Sequence, residues 1–202
     1  MAQANFTVVP EASLPSRFAR GWHCLGLASD YGREPVALSY FGGKQVAYRG
    51  EDGDIHIIDA YCIHMGADLA KGRVEGNGIR CPFHDWRWGS DGVCDDIPYA
   101  KNIPAKARMR SWPTIEQNGL LFIWHDAEFN APIVEQSIPR MDACYSDQWS
   151  PWSIDIMTIE TNCRELVDNM ADVAHFVPVH ANSIDSFKNI SDGHVFVQAQ
   201  TG

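Results

Sequence analysis

From residue 21 to residue 126 the chain alternates short apolar or β-branched runs with turn signals. The runs are Trp22–Leu27, Pro35–Phe41, Gln45–Arg49 and Ile55–Ala60. Between and after them lie Gly42-Gly43, Glu51-Asp52-Gly53, Asn77-Gly78, Ser90-Asp91-Gly92 and Asn118-Gly119. Glycine supplies the positive φ that tight hairpins need, and Asn-Gly is a strong short hairpin signal. The pattern predicts a small antiparallel β domain over 21–126, preceded by an N-terminal segment, 1–20. Residues 127–148, with Pro132 and Pro139 and little periodicity, read as a connecting segment.

The last part, 149–202, mixes periods. Trp152–Ile159 alternates apolar and polar positions, which predicts a half-buried strand. Leu166, Met170, Val173 and Ala174 then recur at helical spacing, predicting a helix from Thr161 to Phe176 with Thr161 or Asn162 as N-cap. Pro178 is expected to end it. A second alternating strand starts at His194–Val197 and is still running at Gly202. One helix and two strands are too little to close a domain, so this part is expected to be incomplete or to lean on something else. The fold class is mainly β with some α.

Composition narrows the function. With 16 Lys and Arg against 26 Asp and Glu, the 202 residues carry a formal charge of −10, which repels phosphate backbones and argues against nucleic acid. The longest apolar run, Leu120-Leu121-Phe122-Ile123-Trp124, is far short of the roughly 20 residues of a membrane span. No secretory signal is visible in Met1 to Gly21, so the expected location is the cytoplasm. In a reducing compartment six cysteines near eight histidines point to metal rather than to disulfides.

Two loops carry that chemistry. Cys62-Ile63-His64 and Cys81-Pro82-Phe83-His84 form C-x-H, sixteen residues, C-x-x-H. Each loop follows a strand and offers one thiolate and one imidazole. Separately buried side chains and a structural zinc site are the competing readings. Zinc knuckles, however, more often pair Cys with Cys and His with His. One of each per loop suits a two-iron cluster, Cys62 and Cys81 on one iron and His64 and His84 on the other.

With those four positions and Cys-Pro-x-His, the chain resembles the Rieske proteins, and among them the oxygenase (alpha) components of Rieske non-haem iron oxygenases. Respiratory and photosynthetic Rieske subunits bridge their loops by a disulfide. The matching positions here are Ala67 and Phe83, which points to the soluble branch. The resemblance implies a Rieske domain followed by the start of an α+β helix-grip catalytic domain, with a 2Fe-2S cluster in the first.

Asp168, Asp172 and His175 fall at i, i+4 and i+7, one face of the expected helix, and His180 follows Pro178. A histidine pair at a helix end is by itself more often a packed pair than a ligand set. The resemblance changes that reading, because Asp172, His175 and His180 match the family's Asp-x-x-His-x-x-x-x-His segment. It implies that His175 and His180 bind mononuclear Fe(II), and that Asp172 bridges His175 to His84 of a neighbouring subunit for electron transfer. The family's third ligand, a carboxylate far downstream, has no counterpart here; Asp185 and Asp192 read as solvated loop acids.

Arg20 to Cys24, Asp59 to Cys62, His64 to Leu69, Cys81 to Trp88, Ile97 to Ala100 and Asn162 to Glu165 are similar to the 3-ketosteroid 9α-hydroxylase subgroup, including Asp85 where many relatives carry glycine. The resemblance implies a monooxygenase component that hydroxylates a hydrophobic ring substrate of the 3-ketosteroid kind with O2. A flavin and iron–sulfur reductase would donate the electrons, and the subunits would form a homotrimer. An electron-transfer module with an incomplete iron site is the alternative. Phe83, Trp86 and Trp88 are expected to pack over the cluster loops and exclude water, and Cys94 and Cys163 to be packed thiols.

Overall fold

A computed structural model describes residues 18–193 and 195–202; the first seventeen residues and His194 lie outside the described residues, as does the side chain of Cys163. The chain divides into two compact units between Pro151 and Trp152.

Among the described residues, the first unit is built from eleven strands in three antiparallel sheets. One sheet joins β2 (Val36–Leu38), β3 (Gln45–Arg49), β4 (Ile55–Asp59) and β9 (Ser111–Trp112) in that order. A second joins β5 (Arg73–Glu75), β6 (Gly78–Arg80), β7 (Arg87–Trp88) and β8 (Cys94–Asp96). The third places β11 (Leu120–His125) between β1 (Gly21–Leu27) and β10 (Thr114–Gln117). The four apolar runs read from the sequence coincide with β1 to β4.

The centre of the unit follows from the two-residue period of a strand. Val46, Tyr48 and Ile58 enter one core with Cys62, Leu69, Ile79, Cys81 and Trp88. Their alternates Ala47, Ile55 and Ile57 enter another with Tyr31, Trp112, Leu121 and Ile123. The sheet is therefore buried on both faces, which is why Val46, Ala47 and Tyr48 are all fully buried. Each fully buried aliphatic side chain contributes about 1.5–3 kcal/mol. The consequence for function is that the loops leaving β4 and β6 start from rigid strands.

Two turns refine the sequence reading. Asn118 and Gly119, at φ 58° and 76°, form the two-residue turn between β10 and β11. Between β5 and β6 the turn residues are Gly76 and Asn77, since Gly78 pairs with Glu75. Asn118 is buried and also fastens the connecting segment. Its Nδ2 donates to Pro139 O at 2.9 Å, its Oδ1 accepts from Met141 N at 2.8 Å, and its N–H donates to Tyr145 Oη at 2.8 Å. Residues 127–148 are thus held against the first unit.

The second unit comprises α1 (Cys163–Ala171), α2 (Phe176–His180) and the antiparallel hairpin β12 (Ser186–Asp192) with β13 (Val195–Thr201). Asn162 caps α1, its side chain accepting from Arg164 N at 2.9 Å. The hairpin closes the other end, where Asn189 Nδ2 donates to Ala171 O at 3.0 Å and Gln198 Nε2 to Met170 O.

Three expectations fail here. Trp152–Ile159 forms no strand, and Ile156 and Met157 are 90% and 79% exposed. Alternation makes a strand only where a neighbour satisfies its backbone, and none of the described strands pairs with this stretch. The helix ends at Ala171 instead of Phe176, because Asp172 turns extended (φ −93°, ψ 115°) and its carboxylate takes Ala174 N at 2.9 Å, competing with helix continuation. Pro178 does not stop a helix but sits in the first turn of α2, where no intrahelical bond needs its missing N–H. Among the described residues, no helix is long and apolar enough to cross a membrane.

Candidate metal centre

Two loops of matching construction meet in the first unit. In one, Cys62 N donates to Ala67 O at 2.9 Å and Gly66 N to Cys62 O at 2.7 Å. In the other, Cys81 N donates to Trp86 O at 2.9 Å and Asp85 N to Cys81 O at 3.1 Å. The offsets of these backbone bonds from each cysteine are the same, although the histidine follows Cys62 by two residues and Cys81 by three.

The equivalence extends to the backbone strain. Four residues after each cysteine the chain is left-handed, at Gly66 (φ 74°) and at Asp85 (φ 58°). A side chain there costs about 1–2 kcal/mol. Asp85 is held by Arg73 Nη2 at 2.7 Å from its carboxylate and by Arg80 Nη1, which donates to its carbonyl at 3.0 Å. Arg80 is largely buried and also pairs with Glu75 and with Asp96, each at 2.7 Å. Asp85→Gly removes the strain and an exposed ion pair worth about 0–1 kcal/mol, and is expected to stabilise by about 0–2 kcal/mol. Asp85→Ala keeps the strain without the pair and is expected to destabilise by at most about 1 kcal/mol in urea unfolding, which leaves it about 1–2 kcal/mol less stable than Asp85→Gly. The reverse order would disprove the loop account.

Cys62 and Cys81 are 1% and 2% exposed, and both are free thiols. Burial pushes the Cys62 thiol up from its ordinary value, and the neighbouring Cys81 adds to the rise, against a backbone N–H at His64. The imidazoles of His64 and His84 are 4.7 Å apart between centroids. Trp86 stacks on His64 at 4.4 Å, and its Nε1 donates to Tyr99 Oη at 2.6 Å. Among the described residues, the buried side-chain nitrogens that meet no partner are His64 Nδ1, His84 Nδ1 and Trp88 Nε1. A buried polar atom without a partner is costly. Two such nitrogens beside two buried thiols are the donor set that a 2Fe-2S cluster with two imidazole and two thiolate ligands requires, so the residues fit that group. Binding would take the thiols as thiolates.

The expected aromatic cover is partly corrected. Trp86 and Trp88 are buried, but Phe83 is 60% exposed and touches the site through the His84 ring, 3.9 Å away. Cys94 is a buried thiol whose Sγ donates to Asp96 O at 3.6 Å; Cys163's side chain lies outside the described residues.

In the second unit, Asp172, His175 and His180 come together without sharing a helix face. His175 caps the start of α2 and His180 ends it, with ring centroids 5.2 Å apart. Asp172 Oδ2 lies 3.4 Å from His175 Nδ1. A carboxylate at Nδ1 keeps the proton there and leaves the Nε2 lone pair for a metal. Asp168 remains on α1, facing Arg164 at 3.7 Å. Among the described residues, no three of His, Cys, Asp and Glu gather around one ion, so this is a two-imidazole pair with a carboxylate behind one ring. The support missed in the sequence, Arg80, has no signal in residue type or spacing; only its burial and its partners reveal it.

The Rieske 2Fe-2S domain family matches residues 21–113, which include all four loop ligands. The 3-ketosteroid 9α-hydroxylase C-terminal domain family matches residues 123–202, which include Asp172, His175 and His180. A 3-ketosteroid-9-alpha-monooxygenase oxygenase component of Rhodococcus rhodochrous is 47% identical over 99% of this chain and 51% of its own length. The component of that name from Mycobacterium tuberculosis is 46% identical over 94% of this chain and 50% of its own. The chain spans about half the length of the curated relatives it matches. Among solved structures, dicamba monooxygenase bound to dicamba superimposes with a TM-score of 0.68 at 22% identity, over 90% of this chain and 57% of that one. At that identity the likeness concerns the fold.

Proposed function

We propose that the chain, which matches the Rieske 2Fe-2S domain family over 21–113 and the 3-ketosteroid 9α-hydroxylase C-terminal domain family over 123–202, is part of the oxygenase component of a cytoplasmic Rieske non-haem iron monooxygenase, one that hydroxylates a hydrophobic ring substrate of the 3-ketosteroid class. The observation that carries this is the pair of matching loops, with their buried thiols and the two imidazole nitrogens left without partners. When bound, a 2Fe-2S cluster supplies one-electron transfer and a mononuclear iron supplies dioxygen activation.

The chain's own residues divide the remaining work. Cys62, Cys81, His64 and His84 hold the cluster, and Trp86 covers the His64 ring. His175 and His180 hold the iron, with Asp172 fixing the His175 tautomer. Asp172 would also bridge His175 to His84 of a neighbouring subunit in a homotrimer, the route proposed for electrons between subunits. A reductase carrying flavin and its own iron–sulfur centre delivers them. The steroid class is supported by the relatives' names and by the match over 123–202.

The test supplies the protein with a 3-ketosteroid, dioxygen and a reducing partner, and follows the steroid by mass. A product heavier by one oxygen atom is expected. Oxidation of the reductant with every candidate steroid unchanged would favour an electron-transfer module instead. Asp172→Asn is expected to keep the cluster's colour while slowing hydroxylation about 10–100-fold, the usual cost of losing a group that orients a metal ligand. An unchanged rate would remove Asp172 from the path.

A further inference from the structure

The second ligand loop is closed at its base by a cation. Arg80 ends β6 and is the residue before Cys81. Its Nη1 reaches past the loop and donates to the carbonyl of Asp85, the residue after His84, at 3.0 Å. One guanidinium thus adjoins both ends of the segment that supplies Cys81 and His84. Its other N–H groups go to carboxylates on the flanking strands. Nε and Nη2 meet the two oxygens of Glu75 on β5 at 2.8 and 2.7 Å, and Nη1 also meets Asp96 Oδ2 on β8 at 2.7 Å.

Two more arginines share this sheet and its loop. Arg73 pairs with Asp85 at 2.7 Å, and Arg87 pairs with Asp95. Their side chains are 59% and 22% exposed, against 12% for Arg80. The least exposed charge is the least screened by water and salt, so Arg80 acts furthest into the protein. Its partners Glu75, Asp85 and Asp96 are three carboxylates around one buried cation.

We infer that Arg80 is a positioning residue of the electron-transfer centre: its charge behind the second loop raises the potential at which a cluster held by that loop accepts an electron. This rests on the 2Fe-2S reading of the four loop ligands. The step concerned adds one electron, delivered by the reductase, and one negative charge, with no bond made or broken. A fixed positive charge close by favours the more negative form. The carboxylates around Arg80 act in the opposite sense, and this opposition separates a charge effect from mere support of the loop. Support is lost whichever partner of an ion pair is removed, whereas the electrostatic effect changes sign with the charge removed.

Redox titration of the purified holoprotein, followed by the EPR amplitude of the reduced cluster, tests the inference. In Arg80→Gln the ratio of reduced to oxidised cluster at a given ambient potential is expected to fall about tenfold, equivalent to about 59 mV for a one-electron couple. Arg80→Lys keeps the charge and is expected to stay within about twofold of the unsubstituted protein. Asp96→Asn is expected to raise the ratio about two- to threefold, a smaller change because that carboxylate is half exposed. Arg80→Gln and Asp96→Asn shifting the ratio in the same direction, or an intact cluster with an unchanged ratio in Arg80→Gln, overturns the inference. So does a fall in Arg80→Lys as large as in Arg80→Gln. Should Arg80→Gln fail to assemble a cluster, Asp96→Asn and Glu75→Gln decide: a raised ratio in both supports the inference, and an unchanged or lowered one overturns it. Unsubstituted protein with no reduced-cluster EPR signal would instead overturn the 2Fe-2S reading, and this inference with it.

Discussion

Cys62→Ala is expected to abolish the visible absorption of the protein, remove two irons per chain and end hydroxylation. The thiol is 1% exposed and supplies one of two sulfurs to the site, so no solvent ligand reaches the vacancy easily. The loop also loses the group it is folded around. Cluster binding is coupled to folding of the ligand loops, and the turn in which Gly66 N donates to Cys62 O, at 2.7 Å, has only its backbone left to hold it. A lower unfolding midpoint should therefore accompany the loss of colour. Cys94→Ala is the matched control. That thiol is equally buried in the same core, but it donates to Asp96 O instead of facing the loops' imidazoles. Its removal is expected to cost about 1 kcal/mol and leave the colour unchanged. If Cys94→Ala bleaches the protein and Cys62→Ala does not, the ligand assignment is wrong.

The second large effect belongs to the other unit. His175→Ala is expected to leave the cluster intact and lower total iron from three per chain to two. Hydroxylation should fall to background, because a metal ion contributes several kcal/mol of charge stabilisation. At 1.36 kcal/mol per decade that is on the order of a thousandfold. His175 is the ring backed by Asp172, at 3.4 Å, and the ring of His180 lies 5.2 Å away. Losing either imidazole leaves a single donor on α2. Iron analysis beside the cluster's EPR amplitude separates the two metals. Three irons per chain retained in His175→Ala would show that this histidine is a packed ring and no ligand.

The cluster loops were legible because their chemistry is local. Each cysteine lies two or three residues from its histidine, and each loop leaves a strand already marked by apolar runs and glycine turns. β1 to β4 were legible for the same reason. What escaped depends on partners distant in sequence. Asn118 reads as a hairpin residue, yet its side chain ties down Pro139 and Met141. Arg80 drew no reading from the sequence, yet it gathers Glu75, Asp85 and Asp96. Trp88 reads as an aromatic cover over the cluster loops, and its full burial agrees, but the unpartnered indole N–H was not legible.

In the second unit periodicity misled in two ways. The spacing of Leu166, Met170, Val173 and Ala174 continues past Ala171, but the Asp172 carboxylate captures a backbone N–H and ends α1 there. Pro178 was weighed as a breaker, although proline is harmless in a helix's first turn. Even so, Asp172, His175 and His180 lie close together, because a break after α1 and a restart at Phe176 fold the segment back on itself.

Quantifying acid-labile sulfide in protein purified without oxygen tests the central claim most directly. Two sulfides per chain, accompanied by iron and lost together in Cys62→Ala, are predicted. A protein with zinc in the loops and no labile sulfide would contradict the account.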